Sequence, residues 1–239
     1  MSIKSKVQLT KLKVAAKKVS SIHALIAKEN WVGLREIDLA DFVAKNIAEQ
    51  SFPVLVGSGW RSTLVHAKPT KKIICRNDLI VIDCGAKADG YCSDMTRTIA
   101  ATKMSAEQGL IHEIVQQAQT HAISQVQVGI SLQEIHRSVY SFLFAELRKN
   151  QILQASDEGL FQKIFPHKTS HWIGTEVHEK SPYLDEHGQE VKLSEGMVFT
   201  IEPGLYFHPQ FGLKNYSGIG VRIEDMVVLT RNGAKILTR

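Results

Sequence analysis

Two apolar runs in this chain end in a carboxylate, and each is followed by a second apolar segment carrying another. Residues 79–83 read LIVID and residues 197–202 read MVFTIE; the returning segments are YCSDMTRTI, with Asp94, and IGVRIEDMVVL, with Glu224. Short continuous apolar runs of this kind are expected as buried strands, where an unpaired carboxylate is costly to desolvate. The fold must therefore bring compensating charge to Asp83, Asp94, Glu202 and Glu224.

The first pair is placed by hairpin geometry. Asp89-Gly90 is a dipeptide favoured in two-residue turns, so Ala88 is expected to pair with Tyr91. That register sets Asp83 opposite Thr96 and Asp94 opposite Gly85. Asp83 and Asp94 then become diagonal neighbours about 7–8 Å apart at the backbone, on one face of the ladder. Divalent ions roughly 3.5–4 Å apart fit between such groups.

The second half repeats the device. Pro203 biases Glu202 towards extended backbone and interrupts regular pairing there, and residues 219–229 are expected to return as one strand carrying Glu224. Arg222, two residues earlier, shares its strand face and is expected to hold that carboxylate from behind. Helical patterns cover residues 7–29, 33–49, 106–128 and 132–149, with strands across 54–99 and 197–237. Two helices followed by strands, twice, predict an α+β chain with two pseudo-symmetric halves. Ser131 with Glu134 reads as a capping box, and Asn232-Gly233 as a final tight hairpin.

A fifth residue joins the acids. His171 lies in the dense segment TSHWIGTEVHE, with His167 and His178 close by. Any one of the five alone is as well explained by a strand-end salt bridge, or, for the histidine, by a satisfied core position. Together, four carboxylates and one imidazole make an oxygen-rich donor set with a single nitrogen, better suited to two divalent cations than to one structural zinc.

Composition removes other classes. The chain has 239 residues, 44% of them hydrophobic, and is expected to form a single domain over residues 1–239. Its formal net charge of +5 comes from the first 18 residues, which hold six lysines and no acid; the rest carries 23 basic and 24 acidic residues. Val7, Leu12, Val19, Ile22 and Ile26 fall at helical spacing behind those lysines, so the cluster reads as the solvated face of a first helix and not as a nucleic-acid or membrane arm. No apolar run is long enough for a membrane span. Cys75, Cys84 and Cys92 follow no CxxC spacing and fit a reducing cytoplasmic setting. No GxSxG, P-loop or GxGxxG segment is present.

The segments DCGAKADGYCSDMTRT, SHWIGTEVHE, FTIEPGLY and GIGVRIED resemble the dinuclear metallopeptidases of the pita-bread fold: methionine aminopeptidases, prolidases and aminopeptidase P. The resemblance runs through nearly the whole chain, and SHW, the VHE after it and RIED look most like aminopeptidase P. It implies that Asp83 binds one metal, that His171 and Glu202 bind the other, and that Asp94 and Glu224 bridge both. A hydroxide shared between the metals would attack the scissile carbonyl while Glu202 shuttles a proton. His66, in STLVHAKPTKK, resembles the histidine that contacts substrate and assists the leaving amine, and His178 the one that stabilises the tetrahedral intermediate.

The implied cofactors are two divalent ions, manganese first, with cobalt, zinc or iron as alternatives. The implied activity is removal of an amino-terminal residue before proline; methionine aminopeptidase or prolidase-like activity, or a non-catalytic peptide-binding module, are the alternatives. Implied partners are a peptide substrate and, as a homo-oligomer, further copies of the chain. Two features depart from the resemblance. Lys168 stands where a small residue, often glycine, separates the two histidines of a PHGxSH-like stretch, and KSPYLD replaces a DVG-like continuation. Bacterial aminopeptidase P and prolidases also usually carry an additional amino-terminal domain, for which 239 residues leave no room.

Overall fold

A computed structural model describes residues 3–239. Its elements alternate as the periodicity predicts. Helices α1 (Lys6–Ile26) and α2 (Glu36–Asn46) precede strands β1 (Leu55–Ser58), β2 (Leu79–Cys84), β3 (Lys87–Ala88), β4 (Tyr91–Cys92) and β5 (Met95–Ala100). Helices α3 (Ala106–Gln125), α4 (Leu132–Lys149) and α5 (Glu158–Ile164) precede β6 (Val198–Ile201), β7 (Gly204–Phe207), β8 (Ile219–Arg222), β9 (Asp225–Thr230) and β10 (Gly233–Ile236).

The strands form two antiparallel three-stranded sheets, ordered β1-β2-β5 and β10-β9-β6, each extended by a two-stranded ribbon, β3-β4 or β7-β8. Period-2 alternation assigns the faces. Ile80, Ile82 and Cys84 pack beneath Val19, Ile22, Leu39 and Val43 of α1 and α2. In the second half, Phe199, Ile201, Val227 and Leu229 pack beneath Ile111, Val115, Ile135 and Val139 of α3 and α4.

The hairpin register is the expected one, with Ala88 opposite Tyr91 and Asp83 opposite Thr96. Asp89 and Gly90 take φ of 49° and 80°, as a type I′ turn requires. Continued inward, the register sets Asp94 across from Gly85, where a Cβ would lie 2.0 Å from the Ser93 carbonyl oxygen; only glycine permits that approach. The Ser131–Glu134 capping box is present, with Glu134 N–H donating to Ser131 Oγ at 3.0 Å and Ser131 N–H to Glu134 Oε2 at 2.7 Å.

Three expectations are corrected. The segment 219–229 is two strands, not one: it breaks at Ile223 and Glu224, and its halves pair with β7 and β6. A matching break at Ser93 and Asp94 separates β4 from β5. At both breaks an acid leaves the ladder, which frees its side chain from a strand's strict alternation. Residues 59–63 form a 3-10 helix inside the expected strand region, and the helix α5 has no counterpart in the sequence reading. In the last hairpin Gly233 pairs with Thr230, so the turn centres on Arg231 and Asn232.

Candidate metal centre

The four acids and His171 all line one cavity of about 570 Å³. Asp83 projects from β2, Asp94 and Glu224 from the two strand breaks, and Glu202 from just past β6. The pairing of Ile201 with Asp225 and of Gly204 with Arg222 belongs to one register, which puts Glu202 across from Glu224. His171 is held beside them because its backbone N–H donates to Thr200 Oγ1 at 3.1 Å and its carbonyl accepts from Thr200 N at 2.9 Å.

His171 Nε2 lies 3.5 Å from Asp94 Oδ2, 3.6 Å from Glu202 Oε1 and 3.7 Å from Glu224 Oε1. These separations exceed ordinary hydrogen bonds. They approach the roughly 3.0–3.5 Å between neighbouring ligands around one ion with bonds of about 2.0–2.2 Å. Asp94, His171 and Glu224 supply donor atoms that all fall within 4.8 Å of one another. Among the described residues, Asp83 Oδ1, Asp94 Oδ1 and Glu224 Oε1 are buried without a hydrogen-bond partner, an arrangement natural proteins avoid unless an ion or a proton completes it. The donor set fits divalent cations.

Electrostatics state the same need. Burial pushes Asp83 up despite Arg222, and burial with Glu224 and Asp83 pushes Asp94 well up. Burial, then Glu224, raises Glu202 to about 8. Burial also acts against ionised Glu224, but His171, Arg222 and Thr96 outweigh it and hold Glu224 below the usual carboxylate range. Burial disfavours charged His171, yet Asp94, Glu224 and Glu202 raise it well above the imidazole range. The site cannot hold four ionised carboxylates by itself; protons or metal cations must share it.

Arg222 does not hold Glu224 as expected. Its Nη2 donates to Asp83 Oδ2 at 2.7 Å, its Nε to Thr96 Oγ1 at 3.1 Å and its Nη1 to Tyr206 Oη at 2.9 Å. Glu224 instead accepts from Thr96 Oγ1 at 2.8 Å. The strand break after Arg222 turns Glu224 away from the arginine, while β8 sits against β2 and brings the guanidinium to Asp83.

His66 and His178 flank the cluster on the cavity wall, His66 exposed to solvent and His178 exposed in part; the His178 ring is 4.2 Å from that of His171. Two histidines that line the cavity, His136 and His167, carried no sequence assignment. His167 Nε2 shares a 2.9 Å hydrogen bond with Tyr206 Oη, and burial, then Arg222, lowers its pKa to about 4. His136, on α4, meets Thr169 Oγ1 at 2.9 Å and is lowered to about 4 by burial, then by Lys168 and Arg137. Tyr206 was visible within FTIEPGLY; His136 sits outside every recognisable segment and gave no signal.

The sequence profile of metallopeptidase family M24 matches residues 10–231. The chain belongs to metallopeptidase family M24. Within it, the chain is 35% identical over 242 residues to the Xaa-Pro dipeptidase of Pyrococcus furiosus, covering 99% of this chain and 63% of that protein. It is 34% identical over 195 residues to the Xaa-Pro aminopeptidase of Escherichia coli, covering 79% of this chain and 44% of that one. The fold superposes on an Escherichia coli aminopeptidase P variant in complex with substrate, with a TM-score of 0.93 and 28% identity over 99% of this chain and 56% of that one. The M24 chain therefore has the pita-bread fold and spans about half to three-fifths of the length of these relatives.

Proposed function

We propose that this chain is a metal-dependent peptidase that hydrolyses the bond between an amino-terminal residue and a following proline. The observation that carries the reading is the buried cluster of four carboxylates around His171, with three oxygens left without partners. Kinship with an Xaa-Pro dipeptidase and an Xaa-Pro aminopeptidase supports the choice of substrate. Asp83, Asp94, His171, Glu202 and Glu224 would hold two divalent ions. The oxygen-rich donor set favours manganese, with cobalt, zinc or iron as substitutes. Bound divalent cations supply Lewis acidity and lower the pKa of water.

The chain's own groups supply the rest. Glu202 carries a proton near neutrality in the cation-free site and is the group to pass one between water and the leaving nitrogen. His66 lines the same cavity and is assigned to the leaving amine. His178, neutral because burial and then His171 lower its pKa, is assigned to donate to the developing oxyanion. Arg222 orients Asp83 through a bond from a fully desolvated guanidinium. Proline brings no N–H, so an apolar wall such as that formed by Val65 and Leu132 leaves no donor unpaired.

The test is kcat/KM for Ala-Pro-Ala, Met-Ala-Ser and the dipeptide Ala-Pro, with manganese, cobalt, zinc and iron in turn. Preference for Ala-Pro-Ala is expected. Preference for the methionyl peptide would make the chain a methionine aminopeptidase, dipeptide-only cleavage would make it prolidase-like, and no cleavage with any metal would make it a peptide-binding module.

A further inference from the structure

The cavity wall carries charges of both signs. The floor is the anionic cluster. Another part of the wall is built by α4 and the segment leading to His171, with Leu132, Arg137, Lys168 and Ser170 among the lining residues. Two cations therefore face one anionic floor, but they differ. Arg137 is matched, since its guanidinium grips both oxygens of Glu190. Lys168 is exposed to the cavity, and among the described residues no carboxylate lies within 4.0 Å of it. Two residues on, Ser170 is 6% exposed and its hydroxyl has no hydrogen-bond partner.

A buried hydroxyl without a partner and, two residues away along the chain, an unmatched ammonium on the same cavity wall make two donors suited to an anion. The direction of a bound peptide follows from charge. Its amino end is cationic and suits the four acids; an anionic group downstream suits Lys168. The reverse direction would set ammonium against Lys168 and a carboxylate against the acids, which Coulomb repulsion disfavours at both ends.

We propose that Lys168 and Ser170 form a carboxylate subsite on the leaving-group side of the cavity, selecting peptides with an anionic group within one or two residues after the scissile bond. The proposal rests on the peptidase reading above. The anion has two sources with shared chemistry: the α-carboxylate of a short peptide, or an acidic side chain in a longer one.

The experiment compares kcat/KM for Ala-Pro-Asp amide with Ala-Pro-Asn amide, and for Ala-Pro-Ala free acid with its amide, in metal-loaded wild type, Lys168→Gly and Lys168→Glu. Wild type is expected to prefer the anionic member of at least one pair by about three- to tenfold at low salt, the range of a partly screened ion pair. Lys168→Gly should erase that preference, and Lys168→Glu should invert it in favour of Ala-Pro-Lys amide. The pair that responds identifies the source. Equal rates in wild type, or a preference that survives both substitutions, would overturn the subsite. If none of the peptides is cleaved, the peptidase reading fails by itself, and calorimetric binding of Pro-Asp amide against Pro-Asn amide still tests Lys168; equal affinity there would overturn it.

Discussion

His178 and His171 show how two neighbouring imidazoles acquire opposite properties. The acids raise His171, while burial and the charge of His171 lower His178. Removal of His178 or His66 is therefore expected to leave the proposed ion-binding groups intact. His178→Ala and His66→Ala should keep wild-type metal stoichiometry by elemental analysis while kcat/KM falls by about 10²–10⁴-fold, the scale of a lost proton-transfer or oxyanion-stabilising group; loss of a metal ion from either would show that it is a ligand. A third histidine is structural. His23 Nε2 bonds to the Met95 carbonyl at 3.0 Å, and burial, then Arg97, lowers its pKa from 6.5 to about 4. The folded state thus favours neutral His23, and protonation favours unfolding. Its contribution is intact above about pH 6.5 and is lost as pH falls towards 4. Between pH 7 and 5 that loss is about 2 kcal/mol. Urea titrations of metal-stripped protein should show His23→Gln losing correspondingly less over the same interval; identical losses would refute the assignment.

Among the elements, the 3-10 helix of residues 59–63 matters most for the site, because it precedes His66 and docks on β8. Ser62 Oγ accepts from Gly220 N–H at 2.9 Å, and a Cβ at Gly220 would fall 2.0 Å from the Ser62 carbonyl oxygen. Gly220→Ala should therefore lift the helix from β8 and destabilise the fold by about 1–3 kcal/mol, the usual scale of overpacking, with a drop in the urea midpoint as the readout. From behind, Glu36 accepts from Ser58 N and Oγ, Arg61 Nε, and Thr70 N and Oγ1, which ties both ends of the segment bearing His66 to α2. In the sequence Glu36 looks like a surface acid in a helix's first turn. Nothing local distinguishes it, since all its partners lie 22 to 34 residues away.

For the whole molecule, two pseudo-symmetric halves aim their acids into one cavity, so ion-free protein carries crowded carboxylates that metal relieves. Manganese at about 100 times its dissociation constant should stabilise the fold by about 2.7 kcal/mol, or roughly 5–11 °C in Tm. Asp94→Ala and Glu224→Ala should both shrink that shift and abolish hydrolysis, but they should move the metal-free Tm in opposite directions: Asp94→Ala raises it, because burial, Glu224 and Asp83 all act against that carboxylate, and Glu224→Ala lowers it, because His171, Arg222 and Thr96 favour its ionised form. A lower metal-free Tm for Asp94→Ala would mean that its carboxylate stabilises the fold without ions. The sequence by itself determined what depends on local chain geometry. The Asp89-Gly90 turn, the Asp83–Thr96 register, the Ser131 cap and the alternation of helices and strands follow from period, turn chemistry and capping, all set within a few residues. Only the tertiary structure decided which distant groups meet. Arg222 reaches Asp83 across 139 residues, His136 enters the cavity from α4, and among the described residues Lys168 has no carboxylate within 4.0 Å. Strand alternation fixes which face a side chain takes, whereas the choice of partner on that face depends on how β8 docks on β2 and α4 on the cavity rim, and no local period encodes that docking.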